Sequence, residues 1–185
     1  MHLNYNNLKI GRSISFCLLL LFVTLLNSCQ SPDRANKQDQ VKKPGEETLI
    51  RVNKNLVKNE EQKIRDFIKR YDWTMEKTES GLFYLIYDTG HGKPVGKNRA
   101  VTIRYSVSLL NGDTVYASRK TGPLTFLPGK GEVPKGLDEG ILKLKEGDRA
   151  KFIIPSHLAY GLVGDAQEIP AKATLVYDVL VIKVK

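Results

Sequence analysis

The stretch from residue 148 to residue 184 constrains the fold most, because two strand patterns there flank one long loop. Residues 152–154 form a short apolar run that ends at Pro155, and residues 173–184 are almost continuously apolar. Val, Ile and Tyr at this density favour a pleated, half-buried surface over a helix. We therefore predict a strand, a loop and a second strand, in which one face is formed by Leu175, Tyr177, Val179 and Val181.

The loop between these two strands, residues 156–172, is long for a connection within one compact domain. It contains two glycines, Pro170 and the dipeptide Ala159-Tyr160. Long loops between strands are usually functional. Two interpretations of Tyr160 remain open at this point: a functional side chain, or one that only closes the open end of the sheet.

Upstream of this stretch, alternating apolar residues and turn signals predict further antiparallel strands. Residues 100–110 alternate cleanly between apolar and polar side chains, and Asn111-Gly112 then gives a strong hairpin signal. Residues 119–123 are predicted as a loop, and residues 135–144 as a short helix. The other predicted strands cover residues 82–87, 114–118 and 124–127. This pattern indicates an α+β fold, a twisted antiparallel sheet (half-barrel) wrapped around a short helix.

A helical extension, residues 49–80, precedes the predicted sheet domain, residues 81–185. Apolar residues recur at helical spacing as far as Trp73, and the pattern is interrupted at residues 59–62. The interruption leaves open one bent helix or two. We expect this helix to pack on its own domain, with a dimerising helix as the alternative, and the chain to be a monomer or a weak dimer.

Residues 1–28 have the features of a secretory signal peptide. Lys9 and Arg12 form a charged start, and the apolar core at residues 14–26 is shorter than the roughly 20 residues that span a bilayer. Residues 26–29 read LNSC and resemble the bacterial lipoprotein box, which implies that Cys29 carries a lipid. A plain secretory signal is the alternative. Residues 29–48 are mostly polar and predict a flexible tether.

The charge distribution argues against a nucleic-acid partner. The formal net charge is +9, but Lys and Arg are scattered among Asp and Glu, and no basic run is interleaved with aromatic residues. We therefore predict a solvated, mildly basic surface and no nucleic-acid binding.

The sequence lacks the common motifs of nucleophilic, zinc-dependent and phosphate-binding enzymes. After the predicted signal peptide only His91 and His157 remain as histidines, and Cys17 lies within that peptide. Neither a Gly-x-Ser-x-Gly nor a His-Glu-x-x-His motif occurs. We expect no metal and no cofactor, and a site made of aromatic and aliphatic side chains.

Several motifs in residues 81–185 resemble, in order and spacing, the FKBP family of peptidyl-prolyl isomerases. They read GKGEV at 129–133, GLDEG at 136–140, GDRA at 147–150, AYG at 159–161, IP at 169–170 and ATLVYDV at 173–179. The resemblance implies the same half-barrel fold. Within the family the chain is similar to bacterial envelope lipoproteins, including isomerases associated with gliding motility.

The resemblance also implies a function. The chain is expected to isomerise X-Pro bonds in unfolded or newly exported envelope proteins while its lipid anchors it in the bacterial cell envelope, at the periplasmic face of the outer membrane. The alternative is a non-catalytic chaperone or scaffold module with the same fold.

Matching residues in the family imply a site. Tyr160 would donate its hydroxyl to a substrate carbonyl, and Tyr105 would form an aromatic wall; both are assigned to catalysis. The substrate-binding residues implied by the resemblance are Val115, Leu124, Phe126, Glu132, Val133, Pro134, Leu137, Ile169 and Tyr177.

The chain departs from the family pattern at several of these positions. The usual Phe-Asp pair after the hairpin is Val115-Tyr116, so a buried Asp is missing. Leu124 replaces a Phe, Leu137 a Trp and Pro134 an Ile, and a loop His is Asp165. These departures imply a wider and less aromatic pocket with the apolar floor and Tyr160 retained.

Overall fold

The computed structural model describes residues 45–185, from the start of the first helix to the C-terminus. The predicted signal peptide, Cys29 and almost all of the predicted tether lie outside these residues. Within residues 45–185, none of the helices combines the length and apolar character needed to cross a membrane. The helices are α1 (Glu46–Arg70), α2 (Ser118–Thr121) and α3 (Lys135–Ile141). The strands are β1 (Glu76–Lys77), β2 (Phe83–Asp88), β3 (Val101–Leu109), β4 (Thr114–Ala117), β5 (Leu124–Phe126), β6 (Arg149–Ile154) and β7 (Leu175–Val184).

All seven strands join one antiparallel sheet, in which six follow the order β1-β2-β6-β7-β3-β4 and β5 pairs with β3. The free edge of β3 is shared, because β5 pairs with its first residues and β4 with its last. The two C-terminal strands predicted from sequence, β6 and β7, are neighbours and stay in register as far as Ile154 and Leu175. The predicted α+β fold is therefore confirmed.

Successive residues of a strand point to opposite faces of the sheet, and both faces are covered here. The first face buries Phe152 and Ile154 of β6 together with Leu137 and Ile141 of α3. Helix α3 lies close to β6 because a Cβ at Gly136 would approach Ile154 Cγ2 to 2.4 Å, and a Cβ at Gly140 would approach Phe152 Cε1 to 2.7 Å. This face carries the residues assigned to the site.

Helix α1 covers the opposite face. Its residues Ile64 and Phe67 are buried against Phe83, Ile153 and Val176, which alternate with the residues of the first face. The helix is continuous through residues 59–62, where the sequence pattern allowed either a bend or a break. Its first half, by contrast, leaves its apolar side chains exposed, among them Leu49, Val52, Leu56 and Val57.

The predicted loop at residues 119–123 is wrong in part, since Ser118–Thr121 forms one helical turn, α2. Gly122 ends this turn at φ 85°, a left-handed conformation that glycine adopts without strain. The predicted helix at 135–144 is also shorter, and ends at Ile141. The short helix α2 matters for the site, because Ser118 and Thr121 both contact Tyr105.

Candidate functional site

Three tyrosines from different elements lie close together beside the first face of the sheet. Tyr105 lies on β3, Tyr177 on β7, and Tyr160 in the site loop, the name used here for residues 155–174 between β6 and β7. The ring centroids of Tyr105 and Tyr177 are 6.4 Å apart. Tyr105 and Tyr160 are partly buried against the core that holds Tyr177. Residues far apart in sequence thus form one aromatic cluster.

A gap in strand pairing orients Tyr105. Strand β5 pairs with β3 as far as Ile103, and β4 pairs with it from Ser106 onwards, so Tyr105 lies between the two. Its backbone N–H would have no strand partner there, and it donates instead to the Ser118 hydroxyl at 3.0 Å. The Tyr105 hydroxyl lies 3.3 Å from that of Thr121. Helix α2 therefore contacts Tyr105 both at its backbone N–H and at its side-chain hydroxyl.

The apolar residues assigned to the site lie in the same core as the three tyrosines. Phe126, Leu137 and Ile169 are buried, and Val115, Leu124 and Val133 are partly buried against them. Glu132 is exposed, and Pro134 is the residue that directly precedes α3. The structure thus brings the predicted apolar residues together, while the exposed Glu132 side chain accepts the Leu127 N–H at 3.4 Å.

A short turn before α3 positions the backbone of Glu132 and Val133. The Gly129 N–H donates to both carboxylate oxygens of Asp138, at 2.7 and 2.9 Å. Asp138 lies in the first turn of α3, so the turn and the helix are joined by one carboxylate. This contact holds residues 129–133 beside the tyrosine cluster.

Tyr116 and Asp165, two positions that depart from the family pattern, are bonded to each other. The Tyr116 hydroxyl donates to Asp165 Oδ2 at 2.5 Å, and Asp165 Oδ1 accepts the N–H groups of Gln167 and Ile169 at 2.9 and 2.8 Å. Asp165 therefore ties the site loop to β4 and fixes Ile169. The sequence shows both departures but does not predict the hydrogen bond between them. That both positions belong to the family's site could have suggested that the two side chains are in contact.

The Asp165 carboxylate stays ionised because of these contacts. Partial burial opposes its charge, but the hydrogen bonds from Tyr116 and from the amides of Ile169 and Gln167 outweigh burial and lower its pKa. The bond to Asp165 in turn raises the pKa of Tyr116. The rim of the tyrosine cluster thus carries one fixed negative charge.

The two inner tyrosines remain neutral phenols. Burial, and then the charge of Asp165, raises the pKa of Tyr160. Burial likewise raises the pKa of Tyr177, which is only 5% exposed. Neither pKa shift involves a hydrogen bond from another side chain. Two neutral O–H donors are therefore available to a ligand within an apolar surrounding.

Within residues 45–185, no group of His, Cys, Asp and Glu side chains has the arrangement of a metal site. The tyrosine cluster offers apolar contact, aromatic faces and hydrogen-bond donors. Such a site can bind an apolar ring and orient a nearby carbonyl.

Comparison with known proteins gives a consistent result. Residues 92–182 match the family model described as FKBP-type peptidyl-prolyl cis-trans isomerase. The chain is 42% identical over 108 residues to FK506-binding protein 1 of Dictyostelium discoideum, which covers 57% of this chain and 99% of that protein. It is 44% identical over 112 residues to the probable isomerase FkpA of Neisseria meningitidis, which covers 60% of this chain and 40% of the relative.

Two solved structures have a similar fold. The crystal structure of AtFKBP13 superposes with a TM-score of 0.59 at 31% identity, over 61% of this chain and all of that one. The crystal structure of FkpA from Escherichia coli superposes with a TM-score of 0.61, over all of this chain and 84% of that one. The second similarity, at 24% identity, concerns the fold alone. The chain spans less than half of the length of the bacterial FkpA relatives that it matches.

Proposed function

Because the chain belongs to the FKBP-type peptidyl-prolyl cis-trans isomerase family, we propose that it isomerises X-Pro bonds in unfolded or newly exported proteins. The observation that carries this proposal is the tyrosine cluster, in which Tyr160 and Tyr177 offer neutral hydroxyls beside Tyr105 and an apolar core. The proposed catalytic residues are Tyr160 and Tyr105. The proposed substrate contacts are Val115, Leu124, Phe126, Glu132, Val133, Pro134, Leu137, Ile169 and Tyr177.

The proposed mechanism needs no acid, base or nucleophile. Rotation about the C–N bond has a barrier of about 18–20 kcal/mol, because the planar amide has partial double-bond character. The planar amide is also more charge-separated than the twisted one, so an apolar surrounding favours the twisted form. The Tyr160 hydroxyl, held neutral by its raised pKa, donates to a substrate carbonyl and fixes the chain on one side of the rotating bond.

Similarity and the N-terminal sequence support a proposed location. The relatives named FkpA come from Neisseria and Buchnera, and this similarity indicates a bacterial envelope protein. We propose further that Cys29 carries a lipid that anchors the chain at the periplasmic face of the outer membrane, because residues 26–29 resemble a lipoprotein box. The proposed partners are this membrane and client chains, with no nucleic acid, and the protein acts as a monomer or weak dimer.

A turnover assay tests the proposal directly. The rate of cis-to-trans conversion of a short proline peptide is measured with and without the protein, with magnetisation-exchange NMR so that no protease is needed. We expect acceleration that Tyr105→Ala reduces, since that change removes part of the aromatic wall. A folded wild-type protein that leaves the uncatalysed rate unchanged would contradict an isomerase function.

A second candidate function, holding unfolded chains without turnover, is favoured by a separate observation. A groove of about 620 Å³ lies between α1, the β3–β4 hairpin and the site loop, and its lining includes Leu56, Val57, Leu110 and Leu162. Exposed apolar side chains flank it, with Leu162 71% and Val163 82% exposed. Contiguous exposed apolar surface is typical of protein-binding sites. Suppression of client aggregation that survives Tyr160→Phe would support this activity.

A further inference from the structure

Glu60 of helix α1 binds both ends of the site loop, although the helix covers the opposite face of the sheet. Its Oε1 accepts the Ser156 N–H at 2.7 Å and the Thr174 hydroxyl at 2.7 Å, and its Oε2 accepts the Ser156 hydroxyl at 3.0 Å. Ser156 is the second residue of the loop and Thr174 the last before β7. One carboxylate therefore joins the start and the end of the loop that carries Tyr160.

The position of Glu60 follows from where the sheet ends. The ladder between β6 and β7 stops at Ile154 and Leu175, and the next residue, Pro155, has no N–H to continue it. Beyond this point the Ser156 N–H has no partner in the strand ladder. The Thr174 hydroxyl also needs a partner, because Thr174 is only 6% exposed. A buried polar group without a partner costs free energy, and Glu60 is the group that satisfies them.

Within the loop, further bonds lead from this anchor to Tyr160. The N–H groups of Ala159 and Gly161 both donate to the Ser156 carbonyl, at 3.1 and 2.8 Å, and the Lys172 N–H donates to the Gly161 carbonyl at 2.8 Å. The residues on both sides of Tyr160 thus depend on Ser156, which Glu60 holds. A change at Glu60 is transmitted to Tyr160 through backbone contacts of only a few residues.

We propose that Glu60 is a positioning residue, which makes helix α1 part of the catalytic unit by holding the site loop in the conformation that binds substrate. The inference rests on the proposed isomerase function, since it assigns the loop to substrate binding. Without the carboxylate, the loop spends part of its time in conformations that do not bind, and apparent affinity falls in proportion to the competent fraction. Bound substrate reorders the loop, so turnover at saturation is retained.

The test compares three variants of the full chain in detergent. Glu60→Ala removes all three contacts. Glu60→Gln keeps an oxygen for the Ser156 N–H and Thr174 hydroxyl and an amide for the Ser156 hydroxyl, so it is expected to restore wild-type behaviour. Glu61→Ala is the matched control, because the neighbouring Glu61 pairs instead with Lys77 of β1 at 2.8 Å and with Arg65 of α1 at 2.6 Å.

Steady-state kinetics with a proline peptide give the main readout. If the site loop of Glu60→Ala adopts the substrate-binding conformation for about a tenth to a third of the time, KM rises roughly three- to tenfold while kcat changes little. A merely structural role would instead lower apparent kcat with the folded fraction and leave KM unchanged. Fluorescence of Trp73, the single Trp, which lies beside Phe67 of α1, monitors whether the helix remains docked.

Amide hydrogen exchange separates this inference from the proposed function. Exchange at residues 155–174 should be faster in Glu60→Ala and unchanged in Glu61→Ala. Unchanged exchange and KM in Glu60→Ala, or equal effects of Glu61→Ala, would overturn the inference, whereas a wild type that does not turn over any proline peptide would overturn the proposed function. If Glu60→Ala does not fold, Thr174→Val removes one of the three donors at nearly constant volume and should give a smaller rise in KM.

Discussion

The Tyr160 hydroxyl is the most informative single group in the site, because it is a neutral donor whose raised pKa comes from burial and not from a hydrogen bond to another side chain. Tyr177 offers a second such hydroxyl, deeper in the same cluster. A free donor held in an apolar surrounding is useful only to a ligand that brings an acceptor. The chemistry that these residues offer is hydrogen bonding. The contribution of each hydroxyl can be measured by a substitution that removes that hydroxyl alone.

Replacing Tyr160 by Phe removes one neutral hydrogen bond and keeps the ring. Such a bond contributes about 0.5–1.5 kcal/mol, so we expect kcat/KM to fall roughly two- to twelvefold with the melting temperature unchanged. Tyr71→Phe is the matched control, since Tyr71 is exposed at the end of α1 and far from the site in the fold. A Tyr160→Phe protein that isomerises as fast as wild type would return this side chain to a purely structural role.

The carboxylate of Asp165 makes the order of the site loop dependent on pH. Its pKa is lowered in the folded protein, so its contribution to stability is present above its unfolded pKa and is lost as the pH falls through the folded one. We expect wild type to melt at a higher temperature than Asp165→Asn at neutral pH, and the two to converge as the pH falls below about 4.

The exposed Glu168 in the same loop provides the control for this measurement. Glu168→Gln removes a charge near Asp165 and should not reproduce the pH-dependent difference. If wild type and Asp165→Asn differ by the same amount at acidic and neutral pH, the ionised carboxylate is not what holds the loop.

At the scale of elements, the contact of α3 with β6 depends on two glycines. Gly136→Ala places a methyl group 2.4 Å from Cγ2 of the buried Ile154. The gain in helix propensity, about 1 kcal/mol, is outweighed by overpacking of about 1–3 kcal/mol that shifts α3 away from the sheet. Chemical denaturation should therefore show lower stability, and Gly96→Ala, where the nearest atom is 3.9 Å away, should show none of this effect.

Helix α1 is the other element whose packing can be tested. Residues 45–185 form one compact unit, and Ile64 and Phe67 cover Phe83 and Ile153 on the sheet. A chain that begins at Gly45 should unfold cooperatively. One that begins at Gly81 exposes this face and should melt at least about 10 °C lower, the shift that corresponds to a loss of about 3 kcal/mol. Equal melting temperatures by circular dichroism would mean that the helix adds nothing to the fold.

At the scale of the whole molecule, the question is what attaches the domain to its surroundings. We expect Cys29→Ala to abolish incorporation of labelled palmitate and to release the protein from the membrane fraction. Cys17→Ala is the control, because Cys17 lies within the predicted signal peptide and would be removed with it, so labelling should persist. Equal labelling of the Cys29→Ala protein and wild type would contradict the proposed anchor.

Sequence alone determined the sheet and the family. The alternation of residues 101–109 and the apolar face of residues 175–181 specify strands with one continuous apolar side, because strand side chains alternate. Asn111-Gly112 specifies the hairpin. The motifs around Tyr160 identified the fold through their order and spacing along the chain, which can be read without knowing any contact.

Only the tertiary structure decided how the site loop is held. Glu60 hydrogen-bonds to Ser156 and Thr174, which lie 96 and 114 positions further along the chain. Tyr116 likewise hydrogen-bonds to Asp165, 49 positions away. Nor did periodicity reveal which half of α1 is buried, since Leu49 and Phe67 belong to one apolar stripe and have opposite exposure. Local patterns encode which side of an element is apolar. Polar contacts between distant segments depend on where the folded chain brings strand ends and helix faces together, and no local pattern records that geometry.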